Sequence, residues 1–114
     1  MQATPLDDAD YQRLTSAVLA RIEAMVDRWL QDDVIDIDSH RTGGLLELEF
    51  PDGSKVVINT QPPLQELWLA ARNGGFHFKF VAGSWRDTRD ELEFLQRLSR
   101  EASTQAGMSL DFSS

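Results

Sequence analysis

Between residues 45 and 80 apolar and polar side chains alternate through four successive runs, and a period of two confines the middle of the chain to β-strands. In GGLLELEF, Leu46, Leu48 and Phe50 alternate with Leu45, Glu47 and Glu49. In KVVINTQ, Val56 and Ile58 lie on one side, and Lys55, Val57, Asn59 and Gln61 on the other. ELWLAA turns Leu67 and Leu69 inward and Glu66, Trp68 and Ala70 outward. FHFKF buries Phe76, Phe78 and Phe80 and exposes His77 and Lys79. Upstream, Ile35 and Ile37 alternate with Asp36 and Asp38, predicting a first short strand. Gly43-Gly44, Pro-Asp-Gly-Ser at 51–54, Pro62-Pro63 and Asn73-Gly74-Gly75 mark the turns or breaks between runs. Alternation this clean belongs to an antiparallel sheet with one dry and one wet face.

The flanks read in the helical period instead. From about Asp8 to Gln31, Leu14, Val18, Ile22, Met25 and Trp29 form one stripe, with Glu23 and Asp27 pointing roughly away from it, toward water. A second helix is predicted from about Thr88, where Thr88 and Glu91 have the spacing of a capping box. Leu92, Leu95, Leu98, Ala102 and Ala106 carry its apolar stripe, and Gly107 is its stop. Trp85 follows Gly83 at a predicted turn, and its face is not assigned. The expected fold is α+β, a two-layer α/β sandwich with the N- and C-terminal helices packed on one face of an antiparallel sheet. The 114 residues make one domain, 1–114.

No run reaches the ~18 apolar residues of a membrane span, and MQATPLDDADY lacks the basic and apolar regions of a signal peptide. Without cysteine there is no disulfide, thiolate site or thiol nucleophile, so a cytoplasmic protein is expected. The net charge of −8 disfavours nucleic acid, whose phosphates need Lys and Arg. That charge is unevenly placed: the first 38 residues hold nine acids and three bases, −6 of the total. Solubility does not require such concentration, whereas attraction of cations or of a basic partner benefits from it.

Asp27, Asp32, Asp33, Asp36 and Asp38 fall on a helix end, a short loop and the first strand, with His40 nearby. Carboxylates are hard oxygen ligands suited to Mg, Ca, Mn and iron. An EF-hand loop starting at Asp36 fails, because His40 and Arg41 stand where an acid or amide and the turn glycine belong. What remains is an open carboxylate surface of weak, unselective affinity, or a solvated acidic face without a ligand. On the wet side of the sheet Trp68 sits among Asn59, Gln61, Glu47, Glu49 and His77, a composition that suits an interface anchor. Trp29 belongs to the core stripe. No nucleophile stands at a motif spacing from either histidine, and no glycine-rich phosphate loop is present.

The stretch INTQPPLQELWLAARNGGFHF at 58–78 resembles the signature of frataxins, and most of all their bacterial branch. Asn59, Gln61, Pro63, Trp68, Leu69, Gly74, Gly75, His77 and Phe78 stand at the matching places, and the helix–sheet–helix order extends the likeness over nearly the whole chain. The resemblance implies the same sandwich and a non-enzymatic role in iron–sulfur cluster assembly. It implies ferrous or ferric iron held weakly and exchangeably on an acidic ridge, matched here by Glu23, Asp27, Asp32, Asp33, Asp36 and Asp38. It also implies partners: a cysteine desulfurase docked on the ridge through Glu23 and Asp27, and the cluster scaffold protein, with Asn59, Gln61 and Trp68 matching the sheet patch of assembly contacts. A monomer is expected without metal. Ala24, Arg28 and Leu30 stand where relatives carry further acids, Glu66 where a glutamine is frequent, and Lys79 where an aspartate is frequent.

The leading expectation is therefore an iron-binding accessory protein that supplies or regulates cluster assembly. The alternative is an acidic interaction module for a basic partner, with metal binding incidental. A ferroxidase-like enzyme is disfavoured, since the buried carboxylate–histidine helix motifs of di-iron sites are absent.

Overall fold

The structure is a computed structural model that describes residues 1–113. Helix α1 spans Asp8–Gln31. Six strands follow, β1 (Asp38–Thr42), β2 (Leu45–Glu49), β3 (Lys55–Gln61), β4 (Glu66–Ala71), β5 (Gly74–Val81) and β6 (Ser84–Asp87), and then α2 (Phe94–Ala106). The strands form one antiparallel meander in chain order, with a short 3-10 turn at Pro62–Leu64 between β3 and β4. Directly paired residues share a face, so the register defines two surfaces. Arg41, Leu46, Ile58, Leu69 and Phe76 line up on the inner face, as do Thr60, Leu67, Phe78 and Asp87. Against it pack Tyr11, Leu19, Ile22 and Val26 of α1 and Phe94, Leu98 and Ala102 of α2, all buried. The expected two-layer sandwich is the observed one.

The buried stripe of α1 is displaced from the predicted one. Tyr11, Thr15, Leu19, Ile22 and Val26 are buried, while Leu14, Val18, Met25 and Trp29 are half-buried beside them. At ~100° per residue the helix is turned by roughly 60° from the apolar stripe. Two polar side chains permit this because their hydrogen bonds are satisfied. Thr15 Oγ1 donates to the Tyr11 carbonyl at 2.9 Å, and Tyr11 Oη donates to the Glu66 carbonyl at 2.5 Å and accepts from the Gln61 amide at 2.9 Å. The Tyr11 phenol thereby fixes α1 to the β3–β4 connection, and burial pushes its pKa above 10.0.

The start of α2 is also corrected. Thr88–Leu92 is a loop, and the helix is capped by Glu93, whose carboxylate accepts from the Gln96 amide at 3.2 Å. The loop is built on the buried Asp87, which accepts from the Arg89 amide at 2.7 Å and lies 3.5 Å from the Arg97 guanidinium. Gly107 ends α2 in the left-handed conformation at φ 69°, as predicted. Strand β6 was not foreseen; it places Trp85 on the inner face, 4 % exposed, edge-on to Tyr11 and Phe80. Beyond α2, Leu110 and Phe112 close the core, with Phe112 packed edge-on against Trp29 at 4.7 Å.

Candidate functional site

Two surfaces gather the residues singled out in the sequence. The first is the C-terminal end of α1 with the connection to β1. There α1 closes in a Schellman motif: the Val34 amide donates to the Trp29 carbonyl at 2.8 Å and the Asp33 amide to that of Leu30 at 3.2 Å. Asp33 occupies the left-handed position, φ 56°, where glycine is the usual residue. The connection brings Asp33 and Asp36 to one shallow hollow, lined also by Leu30 and Ile35. The strand begins one residue after Ile37, so Asp36 lies in the connection rather than on β1, and only Asp38 of the expected pair is a strand residue.

These acids differ in what they face. Asp27, Asp32, Asp33, Asp36 and Asp38 are exposed. Asp32 has a loose ion pair with Arg28 at 3.8 Å, and Asp27, Asp33, Asp36 and Asp38 have no ion-pair partner among the described residues. Glu23 is the exception to the expected water-facing pair. The turned helix carries it to the border of the buried stripe, where its carboxylate accepts from Arg41 Nη1 at 2.7 Å, both side chains only 30 % exposed. Among the described residues no group of three His, Cys, Asp or Glu side chains is arranged to hold a metal ion. The acids form an open array, in which a cation would keep most of its water. Leu30 and Val34, 50 % and 41 % exposed, stand within this acidic end. Val34 precedes the alternating run in which a strand was expected to begin at Ile35; the strand begins at Asp38 instead.

The second surface is the outer face of the sheet. Asn59, Trp68 and His77 are directly paired across β3, β4 and β5, and Gln61, Glu66, Lys79 and Arg86 form the next row. Trp68 is half-buried, its ring stacked on the His77 imidazole at 4.2 Å and 5°. Glu66 points outward as predicted yet is only 8 % exposed. It accepts from Trp68 Nε1 at 2.7 Å, pairs with Lys79 Nζ at 2.9 Å and lies 3.8 Å from His77 Nδ1. Burial pushes its carboxyl up, but the indole N–H and the Lys79 ammonium outweigh it and hold it below the usual carboxylate range. Sequence reading missed this cluster. Its signal was a change of charge at two positions that are cross-strand partners, an acid at Glu66 where a glutamine is frequent and a base at Lys79 where an aspartate is frequent.

The sequence pattern of the frataxin-like domain matches residues 4–108 of the chain. The chain belongs to the frataxin-like family. Within it, the iron–sulfur cluster assembly protein CyaY of Burkholderia mallei (strain SAVP1) is 48% identical over 108 residues, covering 95% of this chain and 99% of the relative. The solved frataxin of Psychromonas ingrahamii superposes with a TM-score of 0.83 at 32% identity, over 96% of this chain and 100% of that one. Trimeric frataxin of Saccharomyces cerevisiae, complexed with ferrous iron, superposes with a TM-score of 0.57 at 25% identity, over 94% and 91%. The frataxin fold accounts for both helices lying on one face of the meander, which leaves the other face and the β1 edge free for contacts.

Proposed function

We propose that this chain is a non-enzymatic accessory protein of iron–sulfur cluster assembly, which carries iron exchangeably as cargo and docks a cysteine desulfurase through its acidic end. One observation carries the reading. Asp32, Asp33, Asp36 and Asp38 are collected at the C-terminus of α1, where the helix dipole disfavours negative charge, and most of them lack a base partner among the described residues. A fold gains no stability from that placement, so a cation or a basic partner is its natural complement. The relative named as a cluster assembly protein and the yeast frataxin complexed with ferrous iron support the choice of iron and of pathway. Open carboxylates suit a donor, since release must be as easy as capture.

A second reading has its own support. With no convergent ligand set, and with Leu30 and Val34 exposed among the acids, the same end also suits a docking surface on which metal binding is incidental. Charge complementarity would give fast, salt-sensitive association with a basic partner. An anaerobic titration with ferrous iron, followed residue by residue by NMR, separates the two. Shifts confined to residues 27–38 favour iron as cargo; shifts absent at millimolar iron favour docking alone. Asp27→Lys with Asp36→Lys is the variant for the desulfurase arm, because both side chains are exposed, whereas Glu23→Lys would also break the Arg41 ion pair. Loss of desulfurase binding by the double variant is expected; unchanged affinity places docking elsewhere.

A further inference from the structure

The β4–β5 hairpin turns through Arg72 and Asn73, with Ala71 paired to Gly74 as its last rung. Asn73, Gly74 and Gly75 are all exposed. Gly74 has φ 147°, a backbone that residues with a side chain rarely adopt, so the hairpin itself calls for glycine after the asparagine. A Cβ added at Gly74 or Gly75 would meet nothing within 4 Å, so the space beside the Gly74 amide is open. The residue before Asn73 is tied down: the Arg72 amide donates to Gln105 Oε1 at 2.9 Å, and the Arg72 guanidinium pairs with Asp52 at 2.9 Å. Among the described residues, nothing hydrogen-bonds the Asn73 side chain. The turn therefore leaves a free carboxamide, an electrophile, next to an unhindered backbone nitrogen. Asparagine is among the thermolabile residues for this reason.

The two positions that would compete are restrained. Asn59, the chain's other asparagine, lies inside β3 and is paired to both Leu45 and Trp68. The nitrogen that would attack it belongs to Thr60, whose amide donates to the Gly44 carbonyl at 2.9 Å. Asp52-Gly53, in the neighbouring β2–β3 turn, repeats the spacing with an acid. Its carboxylate is held by the Ser54 amide, the Ser54 hydroxyl and Arg72. Those contacts keep it ionised down to about pH 2, and a carboxylate is a far poorer electrophile than a carboxamide.

We propose that Asn73 is a site of spontaneous modification, closing a cyclic imide with Gly74 and converting to aspartate and isoaspartate as the folded chain ages. The Gly74 nitrogen gives up its proton to solvent and attacks Asn73 Cγ. The N–Cγ bond forms, the Cγ–Nδ2 bond breaks, and the nitrogen leaves as ammonia after taking up a proton. Water then opens the imide. Cleavage of the new N–Cγ bond gives aspartate, and cleavage of the original peptide bond to Gly74 gives isoaspartate, whose backbone runs through Cγ. One water is consumed, one ammonia is released, and nothing is oxidised or reduced. The product acts on a clamp. Gln105, buried on α2, joins the two turns: its Nε2 donates to Ser54 Oγ at 3.0 Å and to the Lys55 carbonyl at 3.1 Å, and its Oε1 accepts from the Arg72 amide. A carboxylate at position 73 competes with Asp52 for Arg72, and the longer isoaspartate backbone shifts the Arg72 amide away from Gln105. This chemistry is independent of the role in cluster assembly.

The test incubates the full chain in warm neutral buffer beside a free peptide spanning residues 70–76. Both are followed by mass-spectrometric peptide mapping and by methyl transfer from S-adenosylmethionine with an isoaspartyl methyltransferase, which marks isoaspartate. Conversion is expected at Asn73 and not at Asn59. Attack requires at most the last rung of the hairpin to open, so the folded chain should react within about tenfold of the peptide, ~1.4 kcal/mol of added barrier. Asn73→Gln, whose larger imide ring closes far more slowly, should lose the methyl label. In the converted fraction the Arg72 amide should exchange its hydrogen faster than in fresh protein. Asn73 still intact when the peptide has fully converted would overturn the proposal. A methyl label that persists in Asn73→Gln would place the reaction at Asp52 and overturn it too. Equal conversion at Asn59 would remove the turn as the cause, and unchanged Arg72 exchange would overturn the effect on the Gln105 clamp.

Discussion

If Asp33 serves the proposed acidic site, it is the residue at which fold and function pull apart. It holds a left-handed backbone that favours glycine, and it places a negative charge where the last carbonyls of α1 already point their partial negative charge. Both effects are relieved by Asp33→Gly, which keeps the Schellman bonds, since these use backbone atoms alone. The variant is expected to be more stable by about 1 kcal/mol, the scale of a left-handed penalty plus a dipole contact. With a urea slope of ~1–3 kcal/mol/M, the midpoint should rise by roughly 0.5 M. Iron or desulfurase binding should weaken in the same protein, the usual outcome when a functional side chain is removed for stability. A midpoint equal to wild type would mean that the site carries no such penalty. At this scale the sequence was informative about residue type and weak about environment. Glu66 and Trp68 face outward as alternation requires, but alternation cannot show that they shelter each other. Glu23 reads as a surface acid because Arg41, its partner, is 18 residues away on another element.

At the level of elements, the turns and strands from Leu45 to Val81 were legible because each is local: a period of two, a turn, and the period again. The β6–α2 connection was not. A Thr-x-x-Glu spacing suggested a helix start at Thr88, yet the long-range pair of Asp87 with Arg97 holds those residues in a loop, and Glu93 provides the cap. The β2–β3 turn shows a local element whose chemistry is as predictable as its shape. Asp52 accepts from the Ser54 amide at 2.9 Å and hydroxyl at 2.6 Å, and pairs with Arg72 at 2.9 Å. The Ser54 hydroxyl and amide, then Arg72, lower its pKa from 3.8 to about 2. The unfolded chain thus binds this proton more tightly than the native one, and the contribution of Asp52 to stability is complete above about pH 4 and lost as pH falls through about 2. Urea midpoints from about pH 6 to about pH 2 should therefore fall further for wild type than for Asp52→Asn, with the two curves converging at the acid end. Parallel curves would remove Asp52 as a source of acid sensitivity.

The whole molecule carries −8 on a body of 40 × 26 × 23 Å. At ~0.01 M salt the Debye length is about 30 Å, so nearly every charge feels every other, and the excess negative charge opposes the compact state. At ~0.15 M it is about 8 Å, and only neighbours interact, as at the acidic end of α1. Sodium chloride over that range should therefore raise the melting temperature by screening alone. Magnesium or calcium at matched ionic strength then measures something else, because a cation bound by the folded state adds stability through mass action. If the open carboxylates bind cations, the divalent salt should raise the melting temperature above the sodium curve, and Asp27→Lys with Asp36→Lys should bring the two curves together. Coincident curves for the wild-type chain would leave the acidic end as a surface for proteins, with screening as the whole effect of salt. A melting temperature that does not rise with sodium chloride at all would mean that the Arg41 pair with Glu23 and the loose Arg28 pair with Asp32 already offset the crowding of acids in the first third of the chain.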